Sequence, residues 1–398
     1  TSLNSIDRTM EESAQSLGSK GFRLFRRIVL PLSMPGYIAG ASLVFLKVFD
    51  DLGTPLLLDV NTMLAPQAYL RISSIGINDP MGYVIGVILV LTSVAAVYVA
   101  KLALGGKDYS MLQKGGGGMI KRNFLPHQKY FAYSVVFFIL FLVLSPHIAL
   151  TLLSFGTIWS FSILPDAYTF DHYKDVFENS VFIKNTLLYC SIAAFIDIVL
   201  AFFISYIVLR TKIIGRHLLD YVAMSALAIP GLVLGIGYLR TFYSFNLPWN
   251  DKPLASWWFM IVIILAVRRL PYALRACNAV LMQISTYLEE SAESLGAQKT
   301  TIFRKILIPL MMGGLLAGFI TSFSTATVEL SATIMLVSTE SDAPLAYAIY
   351  SYMQTAAGRG PGAGFGVIGV LIVAAGTYLS QLIIEKKYKQ RGMEAKID

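Results

Sequence analysis

One stretch of this chain occurs twice, and that repeat constrains its fold more than any other feature. Residues 12–32 open with Glu12-Ser13-Ala14, reach Gly18 after three more residues, and run through Ile28-Val29-Leu30-Pro31 into a long apolar segment. Residues 290–310 repeat the order with Glu290-Ser291-Ala292, Gly296, Ile306 and Ile308-Pro309. Every position is displaced by 278 with no gap, and 11 of 21 residues are identical, Phe25-Arg26 and Phe303-Arg304 among them. Unrelated helical stretches do not hold register over such a length. The chain is built from two similar halves.

Each copy reads as a short helix, a break and a second helix. Asp7 in the first copy, and Ser285 or Thr286 in the second, are suitable N-caps, and Thr286 with Glu289 has capping-box spacing. Glu11, Glu12, Glu289 and Glu290 sit where a helix N-terminus favours negative charge. Gly18 and Gly296 are the expected left-handed terminators. The Ser-Ala pair after each glutamate leaves a narrow helix face that another protein can approach closely. A plain surface helix between membrane spans is the simpler reading of a single copy; two copies in register favour a shared task.

Composition places the chain in a membrane. It is 56% hydrophobic and 14% charged, against roughly 25% charged for a soluble domain, and its mean hydropathy is +0.64. Eight apolar segments stand out, at 32–58, 81–104, 130–154, 183–209, 219–243, 254–270, 309–337 and 363–385, most of them exceeding the roughly 20 residues needed to cross the hydrocarbon core. The sixth is cut short by Arg268-Arg269. The net charge of +8 does not point to nucleic acid, because of where it falls. If the spans alternate with both repeated loops on one side, that side carries 25 Lys and Arg, against Arg71, Lys174, Lys252 and Arg359 on the other. This asymmetry puts the repeated loops in the cytoplasm. Trp159, Trp249, Trp257 and Trp258 then fall at outer ends, as an aromatic belt does.

The pattern Glu-x-Ala-x3-Gly-x9-Ile-x-Leu-Pro resembles the cytoplasmic coupling loop of permease subunits in binding-protein-dependent ABC importers. In that family the loop docks into a cleft of the ATP-binding subunit. Glu12, Ala14, Gly18, Ile28, Leu30 and Pro31 match in the first copy; Glu290, Ala292, Gly296, Ile306 and Pro309 match in the second. Both copies place Ser where the family usually has its first Ala, and Ile308 replaces the Leu. Two such loops in one chain resemble the fused permeases, with a looser likeness to the ferric-iron type around Glu329 to Thr333 and Tyr347 to Tyr352.

The resemblance implies an all-α polytopic membrane protein of two parallel-repeat halves, with about eight transmembrane helices present. Residues 1–104 are expected to be the C-terminal part of the first repeat, a coupling loop plus two spans. Residues 105–128 read as a flexible cytoplasmic linker, and 129–398 as a second repeat of six spans with its coupling loop at 285–309. Four spans precede the second loop and none the first, so the first half is expected to be truncated at its N-terminus. The implied partners are two ATP-binding cassette subunits, an extracytoplasmic substrate-binding protein and the lipid bilayer of the bacterial cytoplasmic membrane. The implied cofactor is none, ATP being bound by the partner subunits. The expected cargo is ferric iron, with thiamine, phosphonate, polyamine or an inorganic anion as alternatives.

The residues themselves offer no catalytic constellation. His127, His147, His172 and His217 are scattered, and no pair has metal-ligand spacing. Gly115 to Gly118 are not followed by Gly-Lys-Ser/Thr and so form no phosphate loop. Cys190 and Cys277 read as packed thiols. The charges near the ends of the repeat spans allow two readings. Lys47, Asp50 and Asp51 fall in the first half, and the repeat offset aligns Asp51 with Glu329, so an acid recurs at one depth. Charges in spans face an interior or an aqueous cavity, which makes these four candidate pathway residues. Alternatively, some 20 residues of helix at about 1.5 Å each have already carried them to the outer interface. Asp197, within the fourth apolar segment, defaults to helix packing. A secondary transporter is the competing class, but its repeats are often inverted, whereas these two are parallel.

Overall fold

The computed structural model describes residues 8–104, 126–157, 159, 162–248 and 250–390. Asp7, Trp249 and all but the last three residues of the expected linker lie outside them. The described residues are helical apart from turns and a small hairpin, Asn246–Leu247 against Asn250–Pro253. The first half runs α1 (Arg8–Ser16), α2 (Gly21–Leu24), a π-helical turn (Phe25–Val29), α3 (Leu30–Phe49), α4 (Gly53–Leu57), α5 (Leu64–Ser74) and α6 (Pro80–Leu104). Then come α7 (Pro126–Phe155), α8 (Asp171–Glu178), α9 (Val181–Arg210), α10 (Arg216–Ser225), α11 (Gly231–Phe242) and α12 (Trp258–Leu281). The last group is α13 (Tyr287–Ser294), α14 (Lys299–Ile302), a second π-helical turn (Phe303–Leu307), α15 (Ile308–Thr327), α16 (Leu345–Met353) and α17 (Arg359–Gln390).

The repeat is carried by the backbone. Adding 278 to the bounds of α2, the first π-helical turn and α3 gives the bounds of α14, the second turn and α15. The proline explains the wide turn. Pro31 has no N–H to donate to the carbonyl of Arg27, and the ladder slips so that Leu30 N–H reaches back five residues to Phe25. Ile308 N–H makes the same bond to Phe303 ahead of Pro309.

Among the described residues, six helices are long and apolar enough to cross a membrane: Gly21–Phe49, Pro80–Ala100, Pro126–Phe155, Val181–Arg210, Lys299–Thr327 and Arg359–Leu379. The other two apolar segments take different forms. The segment at 219–243 is divided between α10 and α11, because Pro230 holds the chain extended at α11's N-cap and disfavours helix at Ile229. The segment at 254–270 begins in a short turn (Leu254–Ser256) and enters α12, whose helix continues through Arg268, Arg269 and Pro271 to Leu281. Both arginines are buried halfway along that helix, so they do not count as cytoplasmic charge. The inside excess stands without them.

The chain groups into two units, residues 1–51 with 87–145, and residues 52–86 with 146–398. In the first, α7 exposes Phe137, Phe138 and Phe141, as a lipid-facing helix does. In the second, α9, α12 and α15 pack around Ala193, Ile261, Leu265 and Ala326, and toward the repeated-loop end around Leu274, Cys277, Leu307 and Met311. Both cysteines are buried free thiols.

Candidate functional site: two loops and a buried ion cluster

The two loops adopt one shape. Gly18 has φ +84° and Gly296 φ +81°, the left-handed conformation in which a side chain is strained. Each closes a Schellman turn. Ser19 N–H donates to Ala14 O and Gly18 N–H to Gln15 O, both at 2.9 Å, while Ala297 N–H donates to Ala292 O at 3.0 Å and Gly296 N–H to Glu293 O at 2.9 Å. Ser16 Oγ donates to Glu12 O at 3.0 Å, and Ser294 Oγ to Glu290 O at 2.9 Å. The small residues Ala14 and Ala292 turn inward, and Glu12 and Glu290 stay exposed. At the tip, Leu17 and Leu295 are each 88% exposed. A leucine held so far out beside a rigid turn is an apolar knob for a partner.

The second copy shows what holds a loop in place. In the second copy, Arg210 at the end of α9 forms an ion pair with Glu289 (2.9 Å) and donates to the carbonyls of Leu281 (3.0 Å) and Ile284. One guanidinium thus ties α9, the end of α12 and the loop together. Phe303 packs edge-on against Tyr206, 4.7 Å between ring centroids, and Phe202, 5.7 Å. The expected Thr286–Glu289 capping box does not form, because Arg210 takes the Glu289 carboxylate; Thr286 makes no side-chain cap, and Ser285 Oγ accepts Tyr287 N–H at 3.3 Å instead. In the first copy Phe22 and Phe25 are 75% and 46% exposed. A cavity of about 450 Å³ opens there between Ala14 and Leu17 on one side and Ile28 and Pro31 on the other.

At the far ends of the repeat spans, α3 stops at Phe49 and α15 at Thr327. Asp51 and Glu329 therefore lie two residues beyond their helices rather than within them, in equivalent places. Lys47 is in the last turn of α3 and Asp50 is its C-cap residue. Asp51 and Glu329 belong to different units of the chain. Glu329 is 6% exposed, and its Oε2 meets Arg268 Nε at 3.3 Å and the Arg269 guanidinium more closely still. Its Oε1 accepts Ala332 N–H at 3.1 Å. Arg269 is the twelfth of 24 residues in α12, so Glu329 sits level with the middle of a helix about 36 Å long. Arg268 donates to Ile229 O at 3.3 Å and lies flat on Gly231, where a Cβ would come within 2.7 Å of its Cζ. Only glycine leaves that space, at the break between α10 and α11. Ser322 Oγ donates to Arg269 O at 3.3 Å. Asp197, fully buried on α9, lies near Ser322 and within electrostatic reach of Arg269. Sequence reasoning missed Arg210, Arg268 and Arg269 as partners; an arginine pair inside an apolar segment was itself the available signal.

Comparison with known proteins agrees with this geometry. The family described as binding-protein-dependent transport system inner membrane component matches residues 1–107 and 197–390, and the chain belongs to that family. It is a multi-pass inner-membrane component of a transport system rather than an enzyme. The ferric transport system permease protein FbpB of Actinobacillus pleuropneumoniae is 25% identical over 87% of this chain and 50% of its own length. The molybdenum transport system permease protein ModB of Haemophilus influenzae is 28% identical over 48% of this chain and 88% of its own. A solved bacterial ABC transporter involved in import of the acidic polysaccharide alginate shares the fold, with TM-score 0.50 and 18% identity over 65% of this chain and 97% of its own. The chain spans about half the length of the ferric-transport relative.

Proposed function

We propose that this chain is the membrane-spanning subunit of an ATP-driven importer. Its loops at 12–18 and 290–296 dock on two ATP-binding cassette subunits, and an extracytoplasmic binding protein delivers ferric iron to it. The duplicated loop carries the reading: two Schellman-closed helices in register, each presenting an exposed glutamate (Glu12, Glu290) and an exposed leucine at a rigid turn. Ala14, Gly18, Ala292 and Gly296 shape that surface. The expected halves 1–104 and 129–398, joined by a linker at 105–128, fit such a subunit. We assign Lys47, Asp50, Asp51 and Glu329 to the pathway side of the repeat spans, with Glu329 acting through its arginines rather than as a free acid. The ferric-transport relative supports the cargo. An inorganic anion is the second reading, favoured by the molybdenum-transport relative, most of whose length is covered.

The test is reconstitution of the protein with its ATPase subunits and binding protein in proteoliposomes. ATP-dependent uptake of ferric iron is expected, and Gly296→Pro or Glu290→Lys should uncouple hydrolysis from uptake while leaving the protein in the membrane. Full ATP-driven uptake in both variants overturns the docking assignment. Uptake of molybdate and not ferric iron moves the cargo to the second reading.

A further inference from the structure

Two stretches of backbone in the second unit leave regular helix although they are largely enclosed. The first is the break between α10 and α11. Leu227 N–H and Ala228 N–H bond back to Met224 O and Ser225 O, and Leu234 N–H closes the first turn of α11 on Pro230 O at 3.1 Å. The carbonyl of Ile229 is thus left outside both helices. The second stretch is the run of turns after α15. Ile334 N–H donates to Leu330 O and Leu336 N–H to Thr333 O, both at 2.9 Å, and Thr333 Oγ1 donates to Glu329 O at 2.8 Å. Ala332, Thr333 and Leu336 are buried there. Enclosed carbonyls and carboxylates need donors from within the protein.

One side chain serves both stretches. Arg268 is 5% exposed; its Nη1 donates to Ile229 O at 3.3 Å and its Nε stands 3.3 Å from Glu329 Oε2. These are different nitrogens of one planar guanidinium, so both stretches are fixed to a single rigid group. They also touch directly. At Gly235 on α11 a Cβ would come within 2.6 Å of Ala332 O. Gly231 and Gly235 share one face of α11, one turn apart, the first leaving room for the arginine and the second for the turns. Arg269 pairs with the same carboxylate, but the reach to Ile229 belongs to Arg268.

We propose that Arg268 is a positioning residue that makes α11 and residues 328–336 move as one body during transport. This goes beyond the docking role of the 290–296 loop and rests on it. That loop leads through α14 and the second π-helical turn into α15, 20 residues of continuous helix that stop two residues short of Glu329. A push on the loop is carried along α15 to Glu329, and the shared guanidinium passes it to α11, which belongs to a separate stretch of chain. Without that link the two interruptions shift independently, and movement of the loop is spent without moving α11.

The experiment uses the whole chain with its ATPase subunits and binding protein in proteoliposomes, with ferric iron and molybdate each offered as cargo. Arg268→Lys keeps the charge but replaces the fork with a single ammonium, while Arg269 still pairs with Glu329. Gly231→Ala leaves every charge in place and sets a methyl group 2.7 to 2.9 Å from Cζ, Nη1 and Nη2 of Arg268. Those atoms are the movable end of a side chain, so the link gives way before the backbone does. Gly237→Ala, with nothing within 4 Å of the added Cβ, is the control on the same helix. Both link variants should keep hydrolysing ATP while cargo imported per ATP falls about 10-fold; the control should match the unsubstituted complex. Spin labels on Tyr243→Cys and Val328→Cys, at sites 50% and 65% exposed, report the distance between the two stretches. One narrow distance, the same with and without trapped ATP, is expected in the otherwise unsubstituted complex, and a broadened or split one in both link variants. A distance that changes with nucleotide before either substitution overturns the single body. Lower yield of folded complex with unchanged import per ATP shows an arginine that only stabilises the fold and overturns the proposal, as does an equal loss in Gly237→Ala. Failure of the unsubstituted complex to import any cargo on ATP overturns the importer reading instead, and the coupling falls with it.

Discussion

The two repeated loops have the same shape, and the second shows what fixes such a loop in place. Backbone bounds, left-handed glycine, Schellman bonds and exposed leucine agree position for position. The second loop is tied by Arg210 to α9 and α12 and wedged by Phe303 between the rings of Tyr206 and Phe202. Loop shape is thus written locally, in a dozen residues around one glycine. Loop position comes from partners far away in the chain. At the far ends of the repeat spans Asp51 and Glu329 occupy equivalent repeat positions, and Glu329 is enclosed by two arginines of α12.

This contrast can be broken most severely at Glu329. Glu329→Gln leaves Arg268 and Arg269 buried without their anion, a loss of about 3–5 kcal/mol, and should cut the yield of folded protein. Asp51→Asn should be much milder. Yields measured by size-exclusion chromatography in detergent check this, and equal yields would equate the two ends. Next comes Arg210→Ala. It removes the second loop's anchor, also nearly buried, and should lower coupled ATP hydrolysis several-fold while leaving the first loop untouched. Limited proteolysis around 285–296 should speed up in that variant and stay unchanged around 12–18.

Gly18→Ala and Gly296→Ala sharpen the contrast from the local side. Each puts a side chain at positive φ with open space around it, so strain alone acts, at about 1–2 kcal/mol. The two should weaken ATPase binding by similar factors, on the order of 10-fold; unequal losses would show that anchorage reaches into loop shape. Replacing Gly115 to Gly118 by serines, in the stretch read as a linker, should change uptake least, within the error of a transport assay.

The legibility of the chain follows the same line. Repeat register and glycine terminators were readable because each depends on neighbouring residues. The division at 226–230 was hidden within an apolar run, and Pro230-Gly231 was its only mark. The capping box failed for a reason no local window contains, since Arg210 lies 79 positions before Glu289. Arg268 and Arg269 looked like the end of a span because their partner, Glu329, arrives from another helix.

The account stands on both loops being docking surfaces, and their exposed leucines allow that to be measured directly. The native Cys190 and Cys277 are buried, so Leu17→Cys and Leu295→Cys each present one accessible thiol in place of a side chain 88% exposed. Rates of maleimide labelling should be high for each variant alone and fall at least ~10-fold when the ATPase subunits are added, as burial in an interface requires. Labelling of both cysteines at undiminished rates in the assembled complex would contradict the account.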